Sequence, residues 1–162
     1  MPHASRRIDL LVLPPDPDQP LDETAVSALF RTWGVDDRGH VDHPERLMVG
    51  GFKRVWLDRP GRVWLYGNQV GGFRVLCPET RENIAAAFGR AHRAWKAGSE
   101  RTVDCPACGS VHALEGCEFV PPAAFARWAL IFSDASSAVL TPEAEDQLTQ
   151  ALGTTRMILR RP

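Results

Sequence analysis

The chain has 162 residues, a formal net charge of −1 and 44% hydrophobic residues. This length can bury a hydrophobic core without disulfide bonds, and the composition is that of a globular protein, which excludes a largely disordered chain. The near-zero net charge gives no bulk attraction to nucleic acid or to anionic membranes. Since no apolar run resembles a membrane span or a signal peptide, we expect a cytoplasmic protein without a membrane partner.

The first third of the chain predicts a strand followed by a helix. Residues 6–13 are rich in Ile, Leu and Val and stop at two prolines, which is typical of a buried strand. An apolar stripe then runs at helical spacing from the N-cap Asp22 to the C-terminal stop at Gly34.

Residues 36–45 hold His40, His43 and several carboxylates. We interpret this segment as a solvated polar loop, because metal ligands need rigid support that a loop does not provide unaided. The alternative is a second metal or acid/base site that uses the two histidines.

Residues 52–57, 62–67 and 73–77 predict a three-stranded antiparallel meander, with turns at 58–61 and 68–72. One face of this meander would present aromatic and basic side chains, which are typical anchors of protein interfaces. The same mixture would also suit single-stranded nucleic acid, which the near-zero net charge disfavours. The candidate partner-binding residues are Arg62, Trp64, Tyr66 and Lys53.

Three further helices are predicted, over residues 81–95, 123–132 and 142–152, followed by a closing strand over 155–160. Thr80 is the expected N-cap of the first of these helices, which carries His92 on its apolar face. The expected fold class is therefore α+β: an antiparallel sheet with a central three-stranded meander, covered by about four helices. The length favours a single domain over residues 1–162.

The most informative motif is Cys105-Pro106-Ala107-Cys108-Gly109, which lies between strand-like segments 101–104 and 111–114. Two thiols separated by two residues at a tight turn suit a metal ion, because the free N–H groups of the turn stabilise thiolates. In a reducing compartment such spacing favours metal or redox chemistry over structural disulfides.

Residues 105–109 resemble the CPxCG knuckle of zinc ribbons and rubredoxin-like sites. In those families two knuckles at hairpin turns supply four ligands to one tetrahedral ion. A second, degenerate knuckle is Cys77-Pro78-Glu79-Thr80, in which Thr80 replaces the last cysteine. The resemblance implies a zinc-ribbon-like element formed by 73–80 and 101–117, with Cys77, Cys105 and Cys108 as zinc ligands.

For the fourth ligand we rank His112 and Cys117 above His92, because both follow the knuckle closely in sequence. A zinc ion bound by this thiolate-rich set would be structural, since no coordination position is left open for a substrate.

An enzyme would need a cysteine nucleophile, a histidine base and a carboxylate that orients the base. No reaction-specific signature accompanies these residue types, so we assign no catalytic residue. The candidates for such a reaction are Cys77 or Cys108, His92 or His112, and Asp104 or Glu115.

The sequence is therefore interpreted as a non-catalytic protein-binding module, such as an adaptor, regulator or inhibitor of a partner protein, with a structural zinc site. One alternative is a zinc-ribbon accessory protein that binds nucleic acid. The other is an enzyme that depends on cysteine and histidine.

Overall fold

The computed structural model describes residues 7–68 and 73–161, which form three α-helices and ten β-strands. The helices are α1 (Glu23–Trp33), α2 (Ala85–Lys96) and α3 (Pro142–Leu152). The strands are β1 (Asp9–Leu13), β2 (Arg54–Asp58), β3 (Trp64–Gly67), β4 (Arg74–Leu76), β5 (Thr102–Asp104), β6 (Val111–Ala113), β7 (Glu118–Val120), β8 (Ala123–Ala126), β9 (Ala129–Ser133) and β10 (Arg156–Arg160). None of these helices is long and apolar enough to cross a membrane.

The chain divides into two compact units. The first contains the described residues of Met1–Gly67 and Phe125–Pro162, and the second contains those of Asn68–Ala124. The predicted ribbon-like element, 73–80 and 101–117, lies within the second unit. The mixture of helices and antiparallel sheets agrees with the predicted α+β class.

The first unit is built on a four-stranded antiparallel sheet in the order β10-β1-β9-β2. Register places Leu10 opposite Phe132 and Val12 opposite Leu130, so these four side chains share one face. That face packs with the apolar stripes of α1 and α3 to form the hydrophobic core. The predicted strand over 6–13, of which residue 6 lies outside the described residues, corresponds to β1, and the predicted closing strand over 155–160 corresponds to β10; the two pair in this sheet.

Helices α1 and α3 begin and end where their sequences predict. The Asp22 carboxylate accepts the backbone N–H of Ala25, and Gly34 ends α1 in the left-handed conformation at φ +69°. At α3, the Thr141 hydroxyl accepts the N–H of Ala144. These caps satisfy backbone groups that a helix terminus leaves without partners.

The predicted helix over 123–132 is wrong, since these residues form β8 and β9. All four residues of β8 and the first four of β9 are buried. A continuously apolar segment satisfies helical and strand spacing equally well, so its periodicity does not separate the two structures. The described chain consequently has three α-helices rather than about four.

The predicted central meander is also wrong. Its three strands exist as β2, β3 and β4, but they do not pair with one another: β2 pairs with β9, β3 with β8 and β4 with β7. The turn signals at 58–61 and 68–72 predict pairing between neighbouring segments, whereas the actual partner strands come from later in the chain. The predicted turn at 68–72 lies, apart from Asn68, outside the described residues.

In the second unit, two pairs of short antiparallel strands, β4 with β7 and β5 with β6, pack with α2. Phe88 of α2 lies edge-on to Phe119 of β7, with ring centroids 5.2 Å apart. Helix α2 begins at Ala85, four residues later than the sequence predicts, and its N-cap is Ile84 rather than Thr80. Thr80 belongs instead to a turn that follows β4.

Candidate metal centre

The cysteine knuckle is the turn of the β5–β6 hairpin, in which Asp104 faces Val111. The backbone N–H of Gly109 donates to Cys105 O at 2.9 Å, and the N–H of Cys105 donates to Ser110 O at 2.9 Å. Gly109 has φ +76°, a conformation that glycine adopts without strain. These features hold Cys105 and Cys108 on one tight turn, as the sequence predicts, and His112 follows on β6.

A second turn presents Cys77 at the end of β4. The N–H of Thr80 donates to Cys77 Sγ at 3.4 Å, and the N–H of Arg81 donates to Cys77 O at 2.9 Å. Thr80 serves this turn through its backbone N–H and also through its hydroxyl, which accepts the N–H of Glu82 at 3.3 Å. With threonine at position 80, the turn directs a backbone N–H group at the Cys77 sulfur.

Four potential ligand atoms converge between these two turns. One atom each from Cys77, Cys105, Cys108 and His112 lies within 4.8 Å of all the others. His112 Nε2 is 3.1 Å from Cys108 Sγ and 3.8 Å from Cys77 Sγ. A tetrahedral zinc ion with bonds of about 2.3 Å to sulfur and 2.0 Å to nitrogen separates its ligand atoms by about 3.5–3.8 Å. The four residues can thus hold a metal ion after small side-chain adjustments.

The protein environment acts differently on two of these thiols. A side-chain hydrogen bond with Thr80 is the largest influence on Cys77 and lowers its pKa to about 6. At Cys108 the backbone N–H of Ser110 lowers the pKa, but burial and the nearby thiols of Cys105 and Cys77 outweigh it and raise the pKa. A bound metal ion would stabilise the deprotonated form of these cysteines, because ligand thiols bind as thiolates.

The other two candidates for the fourth ligand, Cys117 and His92, lie outside this group of four. The Cys117 thiol donates to Ala113 O at 3.8 Å, and burial raises its pKa to about 11, which keeps it protonated. The His92 ring stacks on Phe88 and contacts Trp95, with centroids 5.8 and 5.7 Å away. His92 is therefore a packing residue of α2.

The histidine-rich segment 36–45 forms no such group within the described residues. The Asp36 carboxylate accepts the backbone N–H groups of Arg38 and His40. The hydrogen bond from His40 is the main reason that the pKa of Asp36 is lowered. His40 Nδ1 lies 3.9 Å from Asp36, and His43 Nδ1 lies 3.4 Å from Glu45, all at exposed side chains. The segment has the contacts of a polar loop.

The carboxylates proposed for an enzymatic reaction do not orient His112 in the described structure. Glu115 instead accepts the Arg101 guanidinium at 3.1 and 3.2 Å. Asp104 is exposed and takes part in no ion pair within the described residues. Cys108 and His112 both belong to the group of four residues that could hold a metal ion.

The predicted partner-binding residues all belong to the first unit but differ in exposure. Lys53 and Arg62 are exposed, and the Arg62 guanidinium lies 5.1 Å from the centroid of the half-buried Trp64 ring. Tyr66 is only 3% exposed, and its hydroxyl donates to Asp58 Oδ2 at 2.7 Å. Arg62, Trp64 and Lys53 are therefore the members that a partner could reach.

Comparison of the chain with models of known protein families, with curated proteins and with solved structures finds no match.

Proposed function

We propose that the protein is a non-catalytic protein-binding module whose second unit is held together by one structural zinc ion. The observation that carries the proposal is the convergence of Cys77, Cys105, Cys108 and His112 within 4.8 Å. Cys77, Cys105 and Cys108 lie at two turns, and His112 follows the second turn on β6.

The donor types favour zinc over the other common metals. Three thiolates and one imidazole match the Cys3His set of structural zinc sites, whereas calcium and magnesium take oxygen ligands. All four tetrahedral positions are filled by protein side chains, which leaves none for a substrate or a reactive water. The ion therefore has a structural role.

The short strands of the second unit explain why a metal ion would stabilise it. Each of its four strands is only three residues long. Small units with short elements bury little apolar surface, and metals commonly supply the missing stability. A zinc ion bound to Cys77 and to the β5–β6 hairpin would tie the two strand pairs of this unit together.

Partner binding is assigned to Arg62 and Trp64, which contact each other, with the exposed Lys53 as a further candidate. Tryptophan and arginine are over-represented among the residues that contribute most to interface affinity. Arg62 lies against the Trp64 ring, which limits the entropy that either side chain loses on binding. A protein partner in the cytoplasm, where thiols stay reduced, is consistent with this arrangement.

Metal analysis tests the zinc site. Protein purified without chelator should contain about one equivalent of zinc, and cobalt substitution should give the absorption of a tetrahedral thiolate site. The variants Cys105→Ser and His112→Ala should lose the metal, whereas Cys117→Ser should retain it. Less than about a tenth of an equivalent in the parent protein, with stability unchanged by EDTA, would exclude the site.

A pull-down tests the binding function. Partners captured by the parent protein should be lost from Trp64→Ala and Arg62→Ala variants that keep their zinc content. Arg156→Ala, at an exposed arginine of β10, is a matched control and should capture the same partners. Unchanged capture by the Trp64 and Arg62 variants would place the interface elsewhere.

A further inference from the structure

The four candidate ligands are unequally protected from solvent. Cys77 is 0% and Cys105 3% exposed, whereas Cys108 and His112 are half-buried. A bound ion would therefore be enclosed on the Cys77 and Cys105 side and approachable on the Cys108 and His112 side.

The surroundings of Cys108 extend this difference. Pro106, Gly109 and Ser110 in the same turn are exposed, and Val111 is 63% exposed. A small reagent can thus approach the tip of the knuckle, whereas Cys77 and Cys105 are buried.

On the premise of the zinc site proposed above, we infer that Cys108 is a site of oxidation by hydrogen peroxide, and that its oxidation releases the zinc ion. The Cys108 thiolate attacks one peroxide oxygen, the O–O bond breaks, and a sulfenic acid and hydroxide form. The Cys105 thiolate then attacks the Cys108 sulfur, an S–S bond forms, and the S–O bond breaks to release a second hydroxide. Two thiolates have lost two electrons in total, the peroxide has gained them, and two protons convert the hydroxides to water.

Cys105 is the resolving thiol because it shares the β5–β6 turn with Cys108, so the disulfide closes a loop of only four residues. Cys77 and His112 then remain as the only ligands, and two ligands hold zinc poorly. The buried thiol of Cys117, kept protonated, is not oxidised and serves as an internal reference.

The test uses the zinc-loaded full-length chain. Hydrogen peroxide is added, released zinc is followed with a chromogenic chelator, and disulfides are mapped by peptide mass spectrometry. We expect about one zinc ion released per Cys105–Cys108 disulfide, and recovery of bound zinc after addition of dithiothreitol and zinc. A different principal disulfide, or zinc release without any disulfide, would overturn the inference.

Two matched variants sharpen the test. Cys108→His keeps four nitrogen and sulfur ligands and should release zinc at least about tenfold more slowly, whereas Cys117→Ser should behave as the parent does. Substoichiometric N-ethylmaleimide provides a second measurement, independent of any variant, and should label Cys108 before the other three cysteines. Labelling of Cys77 or Cys105 first would overturn the inference. A parent protein that never binds zinc would instead contradict the proposed function, and this is known before peroxide is added.

Discussion

His112 Nε2 lies 3.8 Å from Cys77 Sγ, although 35 positions separate the two residues in the chain. Helix α2 and strand β5 lie in the intervening sequence. The contact therefore joins the turn after β4 to the β5–β6 hairpin. An ion bound by both segments would act as a cross-link between them.

Substitution of His112 should show whether this junction stabilises the second unit. His112→Ala should lower zinc affinity by at least about 100-fold, because three ligands remain where tetrahedral zinc needs four. His112→Cys should restore binding through a four-thiolate set. Isothermal titration calorimetry measures both affinities, and amide hydrogen exchange should show lost protection in residues 73–124 of His112→Ala. Equal zinc affinity in the parent and His112→Ala would remove His112 from the ligand set.

Removal of zinc should affect the two units differently. The candidate ligands all lie in the second unit, whereas the first is built on its own sheet and hydrophobic core. With excess EDTA, amide exchange should rise in β5 and β6 and stay unchanged in β1 and β9. Uniform loss of protection in both units would contradict this expectation.

Gly39 should be the less replaceable of two glycines in the first unit. A Cβ atom at Gly39 would lie 2.5 Å from Val55 O, and the residue has φ +82°. Gly34 has a similar φ of +69°, but a Cβ there would meet no atom within 4 Å. We expect Gly34→Ala to cost about 1 kcal/mol of unfolding free energy and Gly39→Ala about 3 kcal/mol, measured by urea denaturation. Equal costs would mean that the backbone around Val55 yields to the added methyl group.

His92 should make stability depend on pH. Burial lowers the pKa of its imidazole below the ordinary 6.5, and the charges of Lys96 and Arg93 add to the effect. As the pH falls below 6.5, the unfolded chain binds a proton that folded His92 resists, so the free energy of unfolding decreases. His92→Gln should therefore lose less stability than the parent between about pH 7 and pH 5.5, measured by urea denaturation at each pH. Protonation of the metal ligands affects the parent and His92→Gln alike. Only the difference between their changes in unfolding free energy therefore reports on His92.

Thr141 should contribute more than an ordinary helix cap. Its hydroxyl accepts the N–H of Ala144 and also donates to Arg46 O at 2.8 Å. Thr141→Ala should cost about 1–2 kcal/mol, whereas Thr141→Ser should keep most of this stability because it retains the hydroxyl. Thermal unfolding of the two variants provides the measurement, and an equal loss in both would assign the effect to the threonine methyl group.

Local signals in the sequence predicted the local features of the structure. Capping residues defined α1 and α3, and the knuckle with its flanking strands was visible because proline and glycine fix a tight turn within a few residues. The same signals predict Cys77, Cys105 and Cys108 as ligands, with His112 or Cys117 as the fourth, and the structure brings the first three together with His112. His112 could not be separated from Cys117, because that choice depends on where the Cys117 thiol points, towards Ala113 O.

Pairing between distant strands was not predictable in this way. Strand β2 has its partner β9 more than seventy residues later, and nothing in either segment identifies the other. The sequence predicts a helix over 123–132 instead of two strands because strands buried on both faces lose the alternation that marks a half-buried strand. The burial of Tyr66 is not predicted because the predicted meander gives β3 the wrong neighbouring strands.

The pairing of β3 with β8 indicates where this chain could be shortened by protein engineering. The path leaves the first unit after Gly67 and returns at Phe125, and these positions belong to adjacent strands of one small sheet. Such closely spaced exit and entry points are where domain insertion is tolerated. The segment between them behaves architecturally as a cassette, so a short turn joining Gly67 to Phe125 should leave a shortened host protein that still folds.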